Sequence, residues 1–189
     1  MKKCAAAILF LSLGVAPGFG IQKPAEWVTY TSSEGRYSVS LPAQPKLSTQ
    51  EAATADGQKF PQYLASVVEP GDVAFLVGYF DSVPGTVFSA DAARDGMLKE
   101  IDGTLISETA ISLGGYPGRA LKVVAKPAPA PPAPGEAPAK AVDYIVHARF
   151  YEVDRRVYVL QIIFPKALED DALAAKVTRY FDSFQVAKK

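Results

Sequence analysis

Residues 73–80 read VAFLVGYF and residues 158–164 read YVLQIIF. Both are apolar at successive positions, and the second is interrupted only by Gln161. Because successive side chains of a strand point to opposite faces, strands of this kind must be covered on both sides. The two stretches therefore predict a sheet that lies between two other layers.

Two predicted helices can supply this cover. The first spans residues 90–101, with Ser89 as its N-cap and Asp91 in its first turn. The second spans residues 168–184 and follows Pro165. Apolar residues recur at helical spacing in both helices. They are Ala90, Ala93, Met97 and Ile101 in the first, and Leu173, Val177, Tyr180, Phe181 and Phe184 in the second.

The remaining strands are predicted to complete a largely antiparallel sheet. Residues 46–53 and 60–68 have the pattern of a hairpin around Asp56-Gly57, a dipeptide that favours tight turns. Short turns also join most of the other strands, which favours antiparallel neighbours. These strands cover residues 27–31, 37–41, 105–113, 119–125, 142–153 and 156–164. The predicted fold class is α+β, a three-layer α/β/α sandwich with a central antiparallel sheet and two main helices.

The N-terminus has the layout of a secretion signal over residues 1–20. A positive start (MKK) precedes an apolar stretch at residues 4–15, and small residues follow. A transmembrane helix needs about 20 apolar residues, so this stretch is too short for one. Cys4 stands at the beginning of the apolar stretch, which argues against lipid attachment. The mature chain is then a single domain over residues 21–189, periplasmic or extracellular, without a cysteine for a disulfide or a thiolate metal site.

The charge balance excludes one class of partner. Two of the 20 basic residues lie in the signal, which leaves 18 against 20 acidic residues in the mature chain. Nucleic-acid binding requires a clustered basic face, so no nucleic-acid partner is expected. No later stretch has the length and hydropathy of a membrane span.

Residues 126–140 (KPAPAPPAPGEAPAK) differ from the rest of the chain. They contain six prolines and almost nothing that could pack in a core. Alternating alanine and proline favours an extended polyproline conformation without internal hydrogen bonds. We predict a mobile loop that joins two adjacent strands. It is either a tolerated expansion, since long loops cost little, or a docking site for a proline-recognising partner.

Both ends of the mature chain resemble a known family. Residues 30–42 (YTSSEGRYSVSLP) are similar to the opening of PsbP-like domains, and residues 180–186 (YFDSFQV) resemble the closing helix of that family. The resemblance implies an α/β/α sandwich of the kind shared with Ran-binding Mog-type proteins and with bacterial envelope proteins of unknown function. Its members are mostly binding or assembly proteins rather than enzymes. It carries no ligand or metal residue onto a matching position here.

His147 is the single histidine and the first candidate for chemistry. It is predicted on a strand face with Ile145, Arg149 and Tyr151. A catalytic histidine requires a nucleophile and an orienting carboxylate nearby, and the chain has no G-x-S-x-G elbow. A structural or surface role for His147 is therefore the favoured interpretation, and a zinc site is disfavoured because only carboxylates remain as further ligands.

Three further groups each have a structural explanation. Residues 169–171 (EDD) could bind calcium or manganese, but their position at a helix start explains them through the helix dipole. Residues 114–119 (GGYPGR) lack the lysine of a phosphate loop and precede a strand, which indicates a turn. Arg149, Arg155 and Arg156 could contact an acidic partner. We favour the alternative that they pair across strands with Glu152 and Asp154. None of these groups is predicted to supply a catalytic, cofactor-binding or metal-binding residue.

The sequence thus favours a non-catalytic binding or assembly module of the bacterial cell envelope. It would bind another envelope protein through a sheet edge, the proline-rich loop or a groove beside a helix. Two alternatives remain open. One is a hydrolase whose site is assembled from distant residues around His147. The other is a carrier of a small apolar ligand, with a cavity lined by residues such as Phe75, Tyr79 and Phe150.

Overall fold

The computed structural model describes residues 2–4, 26–54, 57–126 and 142–187. Two helices are present, α1 (Ala90–Glu100) and α2 (Asp171–Asp182), and a single 3-10 turn (Lys166–Leu168) precedes α2. The strands, in chain order, are β1 (Lys2–Cys4), β2 (Val28–Ser32), β3 (Tyr37–Leu41), β4 (Lys46–Ala53), β5 (Lys59–Glu69), β6 (Val73–Asp81), β7 (Thr86–Phe88), β8 (Gly103–Leu113), β9 (Tyr116–Ala125), β10 (Tyr144–Val153), β11 (Arg156–Pro165) and β12 (Gln185–Val186).

A seven-stranded antiparallel sheet dominates the structure, with the strand order β4-β5-β6-β11-β10-β9-β8. The apolar stretches at residues 73–80 and 158–164 form the neighbouring strands β6 and β11, and Phe75 lies opposite Ile162. A three-stranded sheet has the order β12-β3-β2, and β1 pairs in parallel with β7. The predicted α+β class, with two helices and a large antiparallel sheet, is confirmed.

The two central strands send alternate side chains into two different hydrophobic clusters. On β6, Phe75, Val77 and Tyr79 belong to one cluster, and Leu76 and Phe80 belong to the other. The first cluster also contains the buried residues of α2 and of β3, and we call it the α2 cluster. The second cluster also contains the buried residues of α1 and of β9, and we call it the α1 cluster. Both faces of the centre of the sheet are therefore buried, as the apolar stretches predict.

The second helix is shorter than predicted, and its start has a local cause. The Asp170 carboxylate accepts a hydrogen bond from the Leu173 backbone N–H at 2.8 Å, which makes Asp170 the N-cap. Residues 168 and 169 therefore precede the helix, and α2 ends at Asp182. Ser89 caps α1 as predicted, because its hydroxyl accepts from the Ala92 N–H at 3.3 Å. The two-residue β12 and the three-residue β7 were not expected from the sequence.

Two predicted segments lie largely outside the described residues. The proline-rich segment follows β9, and Ala125 at the end of β9 pairs with Tyr144 at the start of β10. The segment between them therefore connects adjacent antiparallel strands. Of the predicted signal, only residues 2–4 are described, as β1. No helix in the described ranges is long and apolar enough to span a membrane.

Candidate functional site

Strand β8 forms one of the two outer edges of the large sheet. Strand β8 is last in the strand order, and within the described ranges no strand pairs with its outer side. It is eleven residues long, and most of its side chains are exposed or half-buried. A bulge at Ile106, which is 55% exposed, interrupts its register with β9. Beyond the bulge, residues 107–113 (SETAISL) form a regular run against β9.

The one charged residue of this run is held away from the edge. The Glu108 carboxylate accepts a hydrogen bond from Arg94 of α1 at 2.9 Å and pairs with Arg119 of β9. Arg119 also pairs with Asp91 at 3.2 Å, which ties the start of α1 to the sheet. Charged side chains commonly protect an edge strand against pairing with another chain, but here the Glu108 carboxylate points inward to α1. Residues 107–113 therefore present an uncharged edge to the surroundings.

Two rows of side chains lead from this edge across the face that carries α2. In the first row Ser107 of β8 lies opposite Lys122 of β9, and Lys122 lies opposite His147 of β10. In the second row Thr109 and Ala120 lead to Arg149. Small side chains thus stand next to the edge, and basic side chains stand behind them.

The basic residues of the rows are bound by carboxylates beside or on α2. Lys122 binds Glu169 with an Nζ–Oε1 distance of 2.5 Å. Arg149 lies 4.5 Å above the Phe181 ring and 3.7 Å from the Asp182 carboxylate. Both pairs are partly exposed, so each contributes little to stability and can exchange with other charged groups.

His147 is embedded between aromatic and cationic groups. Its ring stacks on Phe164 with centroids 5.9 Å apart. Burial and the nearby Lys122 lower its pKa, Glu169 opposes them, and Arg149 adds to the lowering, so the ring is neutral at pH 7. The predicted strand face is confirmed, since Ile145 and Tyr151 lie in the α2 cluster. These surroundings favour the structural interpretation over a hydrolytic site.

The three acidic residues 169–171 have three separate roles. Glu169 binds Lys122, Asp170 caps α2, and Asp171 lies in the first turn of α2. The Lys122 ammonium lowers the pKa of Glu169, mainly through the hydrogen bond. The described ranges contain no group of three or more His, Cys, Asp and Glu residues placed to hold a metal ion. Gly114 and Gly115, at positive φ angles of 58° and 92°, form the predicted turn between β8 and β9. Strand β9 begins at Tyr116, so residues 116–119 belong to the strand rather than to the turn.

The three arginines do not form one basic group, and the expected partners need correction. Arg156 makes a bidentate pair with Asp81, at 2.7 and 2.8 Å, because these two residues lie opposite each other on β11 and β6. Arg149 pairs with Asp182, as described above. Arg155 donates to the Ser82 backbone carbonyl at 3.1 Å. Arg156 pairs across strands, as expected, but its partner Asp81 lies on the neighbouring strand β6 rather than on the β10–β11 hairpin.

The residues suggested for an apolar cavity do not line one space. Phe75 and Tyr79 belong to the α2 cluster, whereas Phe150 belongs to the α1 cluster on the other side of the sheet. A depression of about 20 Å³ is present beside Gln62 and Gln161. This volume holds roughly one water molecule. A second depression, beside Phe60 and Ser82, has about 10 Å³.

Comparison with known proteins shows a similar fold among solved structures. No protein-family profile matches the sequence, and no curated protein matches it. The structure is similar to cyanobacterial PsbP from Synechocystis sp. PCC 6803, with a TM-score of 0.56 and 14% identity over 92% of this chain and 98% of that chain. The chain has the PsbP-like fold. The likeness extends over most of both chains, and at 14% identity it shows the fold alone.

Two further solved structures are less similar to this chain. A Bacteroides thetaiotaomicron protein has a TM-score of 0.45 and 16% identity, over 85% of this chain and 48% of that chain. A Pseudomonas aeruginosa protein of unknown function has a TM-score of 0.41 and 15% identity, over 80% and 92% of the two chains.

Sequence reasoning did not identify Lys122 or the open edge in front of it. Lys122 and Glu169 are separated by 47 residues, so no local motif connects them. The alternation of residues 119–125 does show that Lys122 and Ala120 share a face. It does not show which strand lies beside them.

Proposed function

We propose that this protein is a non-catalytic binding module that recognises an extended segment of a partner by strand addition to residues 107–113. The observation that carries the proposal is the long outer edge of β8, whose single charge is held by Arg94 and Arg119. An extended peptide that joins such an edge gains main-chain hydrogen bonds, and side-chain positions provide specificity.

The opposite edge of the same sheet serves as a comparison. Strand β4 is shorter, with eight residues, and it carries Lys46 and Glu51. Glu51 forms an exposed pair with Lys59 at 2.6 Å, so it remains at the surface of the edge. Charged side chains of this kind discourage strand pairing. The difference in charge favours β8 as the binding edge.

We further propose that residues 1–20 direct export and that the mature chain, residues 21–189, works in the cell envelope as a three-layer α/β/α sandwich. The order of charged, apolar and small residues at the N-terminus supports export. The partner is then another envelope protein, met in the periplasm or outside the cell. The Ala/Pro-rich segment is a mobile loop in this proposal and has no assigned role.

Photo-cross-linking tests the proposal with a matched pair of positions. Thr109 and Thr49 are both exposed, and they stand on β8 and β4, the two edges. A photoreactive residue at position 109 of the mature protein should cross-link to one extended segment of an envelope protein, identified by mass spectrometry. The same residue at position 49 should not do so.

A second pair of variants tests whether the contact is strand addition. Thr109→Lys should abolish the cross-link made from position 112, because an edge lysine opposes pairing, and Thr49→Lys should leave it unchanged. Circular dichroism and thermal unfolding establish that both variants fold. A partner captured equally from both edges, or a cross-link that survives Thr109→Lys, would overturn the proposal.

A further inference from the structure

We infer that the segment that pairs with β8 carries an acidic side chain opposite Ser107, where Lys122 binds it. This inference rests on the proposed function and adds the chemistry of the partner. It follows from the order of residues in the first row: a small hydroxyl at the edge, a lysine behind it and a histidine behind the lysine.

The spacing of strands places the partner within reach of Lys122. Neighbouring strands lie about 4.8 Å apart, so an added strand would lie roughly 10 Å from β9. A lysine ammonium at the end of its four-carbon stem and a glutamate carboxylate can together span this distance. The side chain between them is Ser107, which is small and exposed and leaves the space above it open.

The second row does not offer the same contact. Arg149 is on β10, one strand further from the edge, and its guanidinium lies over Phe181. Of the basic residues in the two rows, Lys122 is therefore the one that stands close enough to contact an acidic side chain of an added strand.

The protein itself shows that a carboxylate fits this ammonium. Lys122 binds Glu169, and the side chains of the pair are 31% and 41% exposed. An exposed ion pair contributes little, so a second carboxylate can replace the first at small cost. Glu108 does not repel the incoming acid from this face, because its carboxylate is on the α1 side with Arg94 and Arg119.

The rest of the run determines the neighbouring positions of the partner. Ile111 and Leu113 are half-buried and pack against the α2 cluster, so apolar side chains suit the positions opposite them. Thr109 is exposed, so a small polar residue suits the position opposite it. All neighbours in the large sheet are antiparallel, and we place the partner antiparallel as well. The expected pattern is apolar, any, apolar, any, small, any, acidic.

Two capped peptides test this pattern on the mature protein from Ile21 onward. The first is acetyl-Val-Thr-Val-Thr-Thr-Thr-Glu-amide, whose only charge is the glutamate, and the second has glutamine in its place. NMR titration of the labelled protein should show that both peptides shift the backbone amides of residues 107–113. The glutamate peptide should bind about threefold tighter at low salt, the size of an exposed ion pair. The difference should disappear in about 1 M NaCl.

Matched variants assign the difference to Lys122. Lys122→Gln should make the two peptides bind equally, without weakening the glutamine peptide. Lys59→Gln, which removes an exposed pair near the β4 edge, should preserve the threefold difference. His147 provides a second readout, since its ring is the only imidazole of the chain. Its ring signals should shift differently with the two peptides, because only the glutamate peptide brings a carboxylate to Lys122.

The outcomes separate this inference from the proposed function. Equal affinities with shifts at residues 107–113 would overturn the acidic preference and leave strand addition in place. An affinity difference between the peptides that does not depend on salt, or that survives Lys122→Gln, would also overturn the acidic preference and leave strand addition in place. No shift at residues 107–113 with either peptide would overturn strand addition, and the inference would fall with it.

Discussion

The two faces of the seven-stranded sheet are built from different side chains. The α2 cluster is rich in aromatic rings: Phe75 contacts Trp27 and Tyr180, and Tyr37 contacts Tyr79 and Phe184, among others. Its tyrosines also bond to backbone. The Tyr180 hydroxyl donates to the Leu76 carbonyl, and the Tyr158 hydroxyl donates to the Gly35 carbonyl.

The α1 cluster is made largely of alanine and aliphatic residues, with Met97 fully buried. Ion pairs supplement it, because Arg94 and Asp91 of α1 bind Glu108 and Arg119 of the sheet. The comparison indicates that the α2 side contributes more to stability through large rings and buried hydroxyls. The α1 side adds helix α1 to the sheet with smaller contacts and directs the charge of Glu108 away from the β8 edge.

The largest expected effect compares the centres of the two clusters. Phe75→Ala should destabilise the protein by about 3–5 kcal/mol, because it leaves a cavity beneath Trp27 and Tyr180. Met97→Ala should cost about 2–3 kcal/mol, since methionine is smaller and flexible and its neighbours can collapse into the space. Urea unfolding of both variants measures the two free energies. A larger loss for Met97→Ala would contradict the comparison.

Removal of the two helix N-caps should cost less free energy of unfolding than the two core substitutions. Asp170→Ala should destabilise the protein by about 1–2 kcal/mol. The Asp170 carboxylate accepts a hydrogen bond from the Leu173 N–H at 2.8 Å, and its negative charge interacts favourably with the positive end of the α2 dipole. Ser89→Ala should cost about 0.5–1 kcal/mol, since a neutral hydroxyl at 3.3 Å caps α1. Thermal unfolding of the two variants gives the order. Equal shifts would show that the caps do not reflect the difference between the faces.

The smallest effect concerns pH and belongs to the α2 face. The pKa of His147 is lowered in the folded protein, mainly by burial and then by Lys122. As pH falls below about 6.5, the unfolded chain binds the proton first, so stability is full above that pH and declines through the window down to the folded pKa. Urea unfolding at about pH 7.5 and 5.5 should show this decline in the parent protein.

His147→Gln isolates this contribution from other groups. Burial raises the pKa of Glu152, which acts in the opposite sense because the folded protein then holds its proton longer as pH rises. Glu152 is present in both proteins and cancels in the comparison. The free energy of unfolding of His147→Gln should therefore fall less between the two pH values than that of the parent. An equal fall in both proteins would exclude His147 as the source.

Local patterns were sufficient for the elements and for much of the core. The apolar runs at residues 73–80 and 158–164 predicted strands buried on both faces, and the structure places them side by side near the centre of the sheet. Ser89 predicted the start of α1, and the glycines at 114 and 115 predicted the turn before β9. These features depend on spacing, capping and backbone conformation within a few residues, so local sequence is enough to predict them.

The order of strands and the candidate site depend on contacts between distant parts of the chain. Nothing within residues 105–113 distinguishes an edge strand from an internal one, because the distinction depends on which distant strands pair elsewhere. The partners of Lys122 and Arg156 are likewise 47 and 75 residues away. The small pairing of β12 with β3 joins residues 185–186 to residues 37–38. Such contacts gain their free energy from the summed burial of many residues, and no local pattern records that sum.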